Sequence, residues 1–260
     1  MAASADPCAR PRSHPSTLTW GRYGRLYGGD RLVLPQPIEA VVLDFNGTLS
    51  ADEPLMERIF RELFAEFGIQ VTTDFYFAEL AGRSDPEIIR AVLERSQLEA
   101  SQELVLQFAE RKVIRYRSAV RKAPTIGPDA VEFVRLLAER LPLAIVSGAQ
   151  RSEIELGLQL VGIMDCFEAV VCSEDVEIGK PDPAGYLLAQ EALNVGRQVK
   201  TSGLLAFEDS VPGIRAARAA GMFCLGIVGT TDQALLRREA DEVVTALNRD
   251  LALRLLDLAL

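Results

Sequence analysis

The chain has 260 residues, 48% apolar, 25% charged and 7% aromatic, which is enough for one large domain or a domain carrying an insertion. Its 28 basic and 37 acidic residues leave a net charge of −9, so non-specific binding to nucleic acid or anionic lipid is not expected. No apolar run reaches the ~18 residues that would cross a bilayer, and a single histidine, His14, leaves no material for histidine triads or histidine-rich zinc sites.

Residues 1–36 stand apart, with Pro7, Pro11, Pro15, Pro35 and several glycines, and five arginines against two aspartates. The stretch lacks a continuous apolar region, so it is expected to be a mobile or loosely packed extension rather than a secretory signal. Cys8, Cys166, Cys172 and Cys224 form no close pair, and the last three fall in or beside apolar runs. They read as small buried hydrophobes in a reducing, cytoplasmic setting.

From Ile38 short apolar runs recur at Ile38–Phe45, Leu143–Ser147, Ala169–Cys172, Leu204–Phe207, Cys224–Val228 and, more weakly, Glu242–Val244. They are nearly continuous rather than alternating, as strands covered on both faces should be. Helical patterns at Asp129–Arg140, Arg151–Val161, Pro183–Leu193, Val211–Ala220 and Asp232–Ala240 separate the last five. Strand–helix alternation predicts an α/β fold, a Rossmann-like doubly wound parallel sheet whose ligands bind beyond the carboxyl ends of the strands. Residues 51–123 hold no good strand but several amphipathic stretches, Leu55–Phe67, Phe75–Leu80, Pro86–Glu94 and Gln102–Tyr116. They are expected to form a helical cap inserted into a core made of 37–50 and 124–260, roofing the strand ends. Leu251–Leu260 reads as a docking helix, and monomer and homodimer both stay open.

Four segments place polar residues at the carboxyl ends of these strands or at a helix start. Asp44-Phe45-Asn46-Gly47-Thr48 puts a carboxylate at a strand tip followed by a glycine turn. Ser147-Gly148 ends the second strand, Lys180 precedes a helix start, and Glu208-Asp209 end another strand. Singly these are turn residues, caps or solvated charges; together they fit phosphoryl transfer through an aspartyl intermediate. Asp44 would be the nucleophile. Asp209 with Glu208 would supply hard oxygen ligands for Mg²⁺. Ser147, Lys180 and turn N–H groups such as those of Thr48 and Gly148 would hold the phosphoryl oxygens.

With these residues the chain resembles the haloacid dehalogenase-like hydrolases, in the branch of helical-cap phosphatases and β-phosphoglucomutase-like proteins. The likeness covers roughly residues 38–230 and includes Gly82-Arg83-Ser84 and Glu208-Asp209-Ser210-x-x-Gly213. The resemblance implies Asp44 as nucleophile and metal ligand, Asp209 as a second ligand, the Asn46 backbone carbonyl as a third, and Arg83 as a substrate contact from the cap. It implies Mg²⁺ as cofactor and a small phosphorylated metabolite as substrate.

Asn46 departs from the family pattern, which has an Asp there to protonate the leaving oxygen and then activate water. Asparagine transfers no proton at neutral pH, and general acid–base help is worth about 10²–10⁴ in rate. The reading is therefore an Mg²⁺-dependent hydrolase with altered demands: either its substrate has a good leaving group, such as an acyl or aryl phosphate, that needs no acid, or Asp85 or Glu87 of the cap supplies the acid. The alternatives are a low-turnover phosphometabolite-binding protein and a phosphomutase- or phosphonatase-like relative. The phosphonatase reading needs an early cap lysine, whereas the first cap lysine, Lys112, is flanked by Arg111 and Arg115 and reads as a surface charge.

Overall fold

Val41, Val42 and Leu43 are β-branched or bulky and fit a pleated surface. They form β1 (Ala40–Leu43) in the computed structural model, which describes residues 34–35, 37–229 and 231–259. Most of the expected N-terminal extension, and Cys8 and His14 with it, lies outside the described residues. Five further strands follow: β2 (Leu143–Val146), β3 (Ala169–Val171), β4 (Leu204–Glu208), β5 (Phe223–Ile227) and β6 (Glu242–Val244). They pair in parallel in the order β3-β2-β1-β4-β5-β6. Every residue of the three central strands is buried, whereas the edge strands β3 and β6 are only partly covered. A strand covered on both faces has no use for alternation, hence the continuous apolar runs.

The sheet is flanked by α5 (Pro128–Ala138), α6 (Arg151–Leu160), α7 (Ala184–Leu193), α8 (Val211–Ala219), α9 (Gln233–Glu239) and α10 (Arg249–Leu256). The last packs its Leu251, Ala252, Leu255 and Leu256 face inward and contacts α5, so this end of the chain is docked on its own core. Cys172 and Cys224 are buried free thiols and Cys166 is half-buried. No helix among the described residues is long and apolar enough to cross a membrane.

Between β1 and β2 the chain builds α1 (Glu53–Ala65), α2 (Thr73–Phe75), α3 (Asp85–Arg95) and α4 (Gln102–Lys122). The helix expected at Phe75–Leu80 is instead the end of α2 running into a π-helical turn, Tyr76–Leu80. These elements have a core of their own, centred on Phe60, Phe64, Tyr76, Phe108 and Tyr116. The Phe64 and Phe108 rings stack with centroids 4.7 Å apart, a geometry worth about 0.5–1.5 kcal/mol beyond area burial.

Lys112 corrects the sequence reading. It is completely buried, on the α4 stripe that also carries Val105, Phe108, Ala109, Tyr116 and Val120. Its ammonium lies 2.8 and 3.0 Å from the two Glu153 oxygens on α6 and 2.9 Å from Asp85 Oδ2 on α3. Burial works against this ammonium, but the two carboxylates outweigh it and hold the lysine pKa above its ordinary value. Asp85 is thereby occupied as an ion-pair partner.

Replacing Lys112 by Met should cost about 3–5 kcal/mol, because two carboxylates would stay buried without their cation. Burial already lifts the Glu153 carboxyl to about 7 against the pull of Lys112, and without that ammonium it would rise further, so the variant's deficit should grow from pH 6 to pH 8. Urea unfolding at the two pH values measures both quantities; a deficit that is small or independent of pH would contradict it.

Candidate functional site

The sheet order sends the chain from β1 to β2 on one side, while β4 adds on the other, which leaves a crevice at the carboxyl end of β1. Asp44 sits at that tip, its N–H still bonded to the Phe207 carbonyl at 3.0 Å. Ser147 is fixed beyond β2 through its N–H to the Val171 carbonyl at 2.9 Å. Glu208 ends β4 and Asp209 follows it. Register alone thus brings three of the four sequence segments together.

Lys180, from the loop beyond β3, completes the set. Its Nζ donates to Asp44 Oδ1 at 2.6 Å, Glu208 Oε1 at 2.5 Å and the Val146 carbonyl at 3.1 Å, which uses all three ammonium protons. Burial disfavours the charge, yet Asp44 and Glu208 overcome this and raise the lysine pKa. Burial, with Glu208 adding and Lys180 opposing, also pushes the Asp44 carboxyl well above the usual range. Glu208 lies beneath the site, taking hydrogen bonds on Oε1 from Tyr186 Oη at 2.5 Å and on Oε2 from Ser210 Oγ at 3.2 Å.

Gly47 has φ +77°, and a Cβ there would overlap the Asp209 carboxylate. A Cβ on Gly213 would likewise overlap the Glu208 carboxylate. Only glycine satisfies both the left-handed turn and the close approach at 47.

Asp44, Glu208 and Asp209 each offer one oxygen within 4.8 Å of the others. Asp44 Oδ2 is buried and has no protein hydrogen-bond partner, a costly state that a cation would relieve. An all-oxygen, buried set of three carboxyls fits a hard divalent cation.

Asn46 is held at both ends of its amide. Nδ2 donates to Asp52 Oδ2 at 2.8 Å, and Oδ1 accepts from Ser147 Oγ at 3.3 Å. Asp52 is fully buried and takes a second bond from Tyr116 Oη at 2.5 Å. The sequence reading missed Asp52, Tyr116 and Tyr186. Their one signal is a polar tip on an apolar stripe, as at Tyr116 on α4.

The crevice is a cavity with about 70 Å³ open to water, lined on the sheet side by Asp44, Asn46, Ser147, Gly148, Lys180 and Asp209. Arg83, Asp85, Glu87 and Lys112 reach it from the helices above, with Glu53 and Tyr76. Thr48 does not line this cavity; its hydroxyl points at Asp209 Oδ1, 3.5 Å away, and it borders a neighbouring groove. Glu87 is engaged locally, one oxygen accepting from both N and Oγ of Ser84 at the start of α3.

A parallel sheet with an aspartate at the central strand tip, a bridging lysine and a paired-acid strand end defines a class of α/β hydrolases. The profile of the haloacid dehalogenase-like hydrolases matches residues 38–221, and the chain belongs to that family. It is 30% identical to validoxylamine A 7′-phosphate phosphatase of Streptomyces hygroscopicus subsp. limoneus, over 78% of this chain and 91% of that protein. It is 29% identical to the phosphorylated carbohydrates phosphatase of Thermotoga maritima, over 71% of this chain and 82% of the relative. The crystal structure of β-phosphoglucomutase from Clostridium difficile has the same fold, with a TM-score of 0.71 and 24% identity over 85% of this chain and 97% of that one.

Replacing Asn46 by Asp would set a half-buried carboxyl against the fully buried one of Asp52, so that one of them keeps a proton. The folded protein would then bind more protons than the unfolded chain above pH ~4, and stability falls as pH rises. Relative to the native chain, the variant should lose about 1–3 kcal/mol at pH 8 and less at pH 5.5. Denaturant midpoints at both values read this, and an unchanged or opposite trend would contradict the Asn46–Asp52 contact.

Proposed function

We propose that the protein is an Mg²⁺-dependent phosphatase of a small phosphorylated metabolite, working through a phosphoryl group carried on Asp44. The observation that carries this reading is the Asp44–Lys180–Glu208 arrangement beside Asp209 in an enclosed cavity. The phosphatases among its relatives support it, two of them acting by name on phosphorylated sugars or sugar-like compounds. The α1–α4 segment is the cap, with bounds near 51 and 123, and its closure excludes water from the acyl phosphate. The three described cysteines are unpaired, in keeping with a reducing compartment such as the cytoplasm.

Asp44, Asp209, Glu208 and the Asn46 main-chain carbonyl would hold Mg²⁺, which shields the incoming phosphate from the carboxylates. Lys180 holds Asp44 in place for attack and offsets charge on the phosphoryl oxygens. Ser147 and the N–H groups around Gly148 bind those oxygens as charge develops. Arg83 reaches the substrate from the cap. Asn46 orients the crevice but moves no proton.

A second reading, a protein that binds the phosphometabolite with little turnover, is favoured by Asn46 itself. The phosphonatase-like reading finds no support in Lys112, although it lines the cavity: Asp85 and Glu153 keep its amine protonated, and a Schiff base needs it neutral.

Phosphate release from acetyl phosphate, 4-nitrophenyl phosphate and a hexose phosphate separates the readings. The phosphatase should turn over at least the activated esters with Mg²⁺ and stop in EDTA. Asp44→Ala should abolish release, and Asp209→Ala should raise the Mg²⁺ requirement. Retained activity in Asp44→Ala would sink the covalent route, whereas binding without any release would favour the second reading.

A further inference from the structure

With Asn46 unable to carry a proton, the carboxyl groups around the cavity can be sorted by what already holds them. Five line it: Asp44, Glu53, Asp85, Glu87 and Asp209. Asp44 and Asp209 have roles in the proposed chemistry. Asp85 is paired with the buried Lys112, and Glu87 closes the Ser84 capping box. Glu53 is left.

We infer that the Glu53 carboxyl donates the proton to the leaving oxygen and later takes one from water, doing from the start of α1 what Asn46 cannot. This rests on the phosphatase reading above. Glu53 Oε1 accepts a hydrogen bond from Tyr76 Oη at 3.0 Å, and the residue lines the cavity. An ordinary first-turn acid would sit in water and gain from the helix dipole as a carboxylate. Glu53 instead is 8% exposed. It also borders a second, wider groove, about 620 Å³, shared with Thr48, Phe77 and Val228, so the residue stands between the reaction cavity and an outer groove.

The groups that set its charge come from each neighbouring element: Asp52 on its own turn, Tyr76 on the π turn, Asp44 beyond β1 and Lys112 on α4. Burial is the main cause that lifts the Glu53 carboxyl to about 7; the Tyr76 hydroxyl opposes it, Asp52 and Asp44 add to it, and Lys112 opposes. A group near 7 is protonated often enough to act as acid and ionised often enough to act as base.

The steps balance. An Asp44 oxygen bonds phosphorus as the P–OR bond breaks; its electron pair goes to the OR oxygen, which takes the Glu53 proton and leaves as ROH. Water then attacks the phosphoryl group while Glu53 takes one of its protons. The P–O bond to Asp44 breaks, returning the carboxylate, phosphate and a protonated Glu53.

The experiment compares the native chain, Glu53→Gln and Tyr76→Phe on 4-nitrophenyl phosphate, whose leaving group needs little protonation, and on glucose 6-phosphate, whose leaving group needs it. Glu53→Gln should lose about 10²–10⁴ in kcat/KM on the alkyl ester and less than about tenfold on the nitrophenyl ester. The native kcat/KM for the alkyl ester should fall above pH ~7 as the acid ionises, and Glu53→Gln should lack that limb. Tyr76→Phe removes a bond that favours the carboxylate, so its limb should move to higher pH, a shift readable even if Glu53→Gln folds poorly. Equal losses on both esters with the limb retained would mean a structural role only and overturn the inference. An active native chain with an unmoved limb in Tyr76→Phe would overturn it while leaving the phosphatase reading intact. A native chain that releases no phosphate from either ester overturns both.

Discussion

One ammonium group lets the centre of this molecule exist. Asp44, Glu208 and Asp209 are gathered where two parallel strands, β1 and β4, end, all three buried, and like charges at such spacing repel strongly in a medium of low polarisability. Lys180 spans the gap between two of them and ties the result to the backbone of β2. It comes from the loop beyond β3, so the acids of β1 and β4 are neutralised by a residue from the other side of β2. Removing that charge would leave its partners stranded, a far larger cost than the pair contributes by itself.

The same rule organises the helices above. A second buried lysine, Lys112, holds Asp85 from its own helical layer and Glu153 from the sheet layer. Two cations, each between two carboxylates, therefore border one cavity from opposite sides. The pocket between them carries polar groups whose charge states are already committed, which leaves the few uncommitted ones to respond to a substrate.

The sheet was legible in the sequence because parallel strands buried on both faces leave a plain signature, and even the weak run at Glu242–Val244 is a strand. Glycines at 47 and 213 carried the site's geometry, since close approach and a positive φ each demand them. The helical layer was harder. Lys112 lies in step with the apolar stripe of α4, but the two arginines beside it suggested a solvated face, and only its distant partners Asp85 and Glu153 explain its burial. Glu53 and Asp52 stand just ahead of the first amphipathic stretch, where acids are common for local reasons. Their partners, Tyr76 and Tyr116, are 23 and 64 residues away. Such pairings depend on how two layers meet, and no period of two or 3.6 residues encodes that.

The Asn46 amide has a consequence for how this site can change over generations. It gives a proton-bearing nitrogen to Asp52 and offers an oxygen to Ser147, so position 46 and position 52 read each other's charge. A carboxylate gained at 46 is penalised while 52 remains acidic, and a neutral donor gained at 52 leaves the amide nitrogen without its acceptor. Neither single step is free, so the two positions are coupled in stability. An acid at 46 is therefore accommodated at least cost once position 52 has given up its charge, so the asparagine is one half of a matched pair rather than an isolated choice.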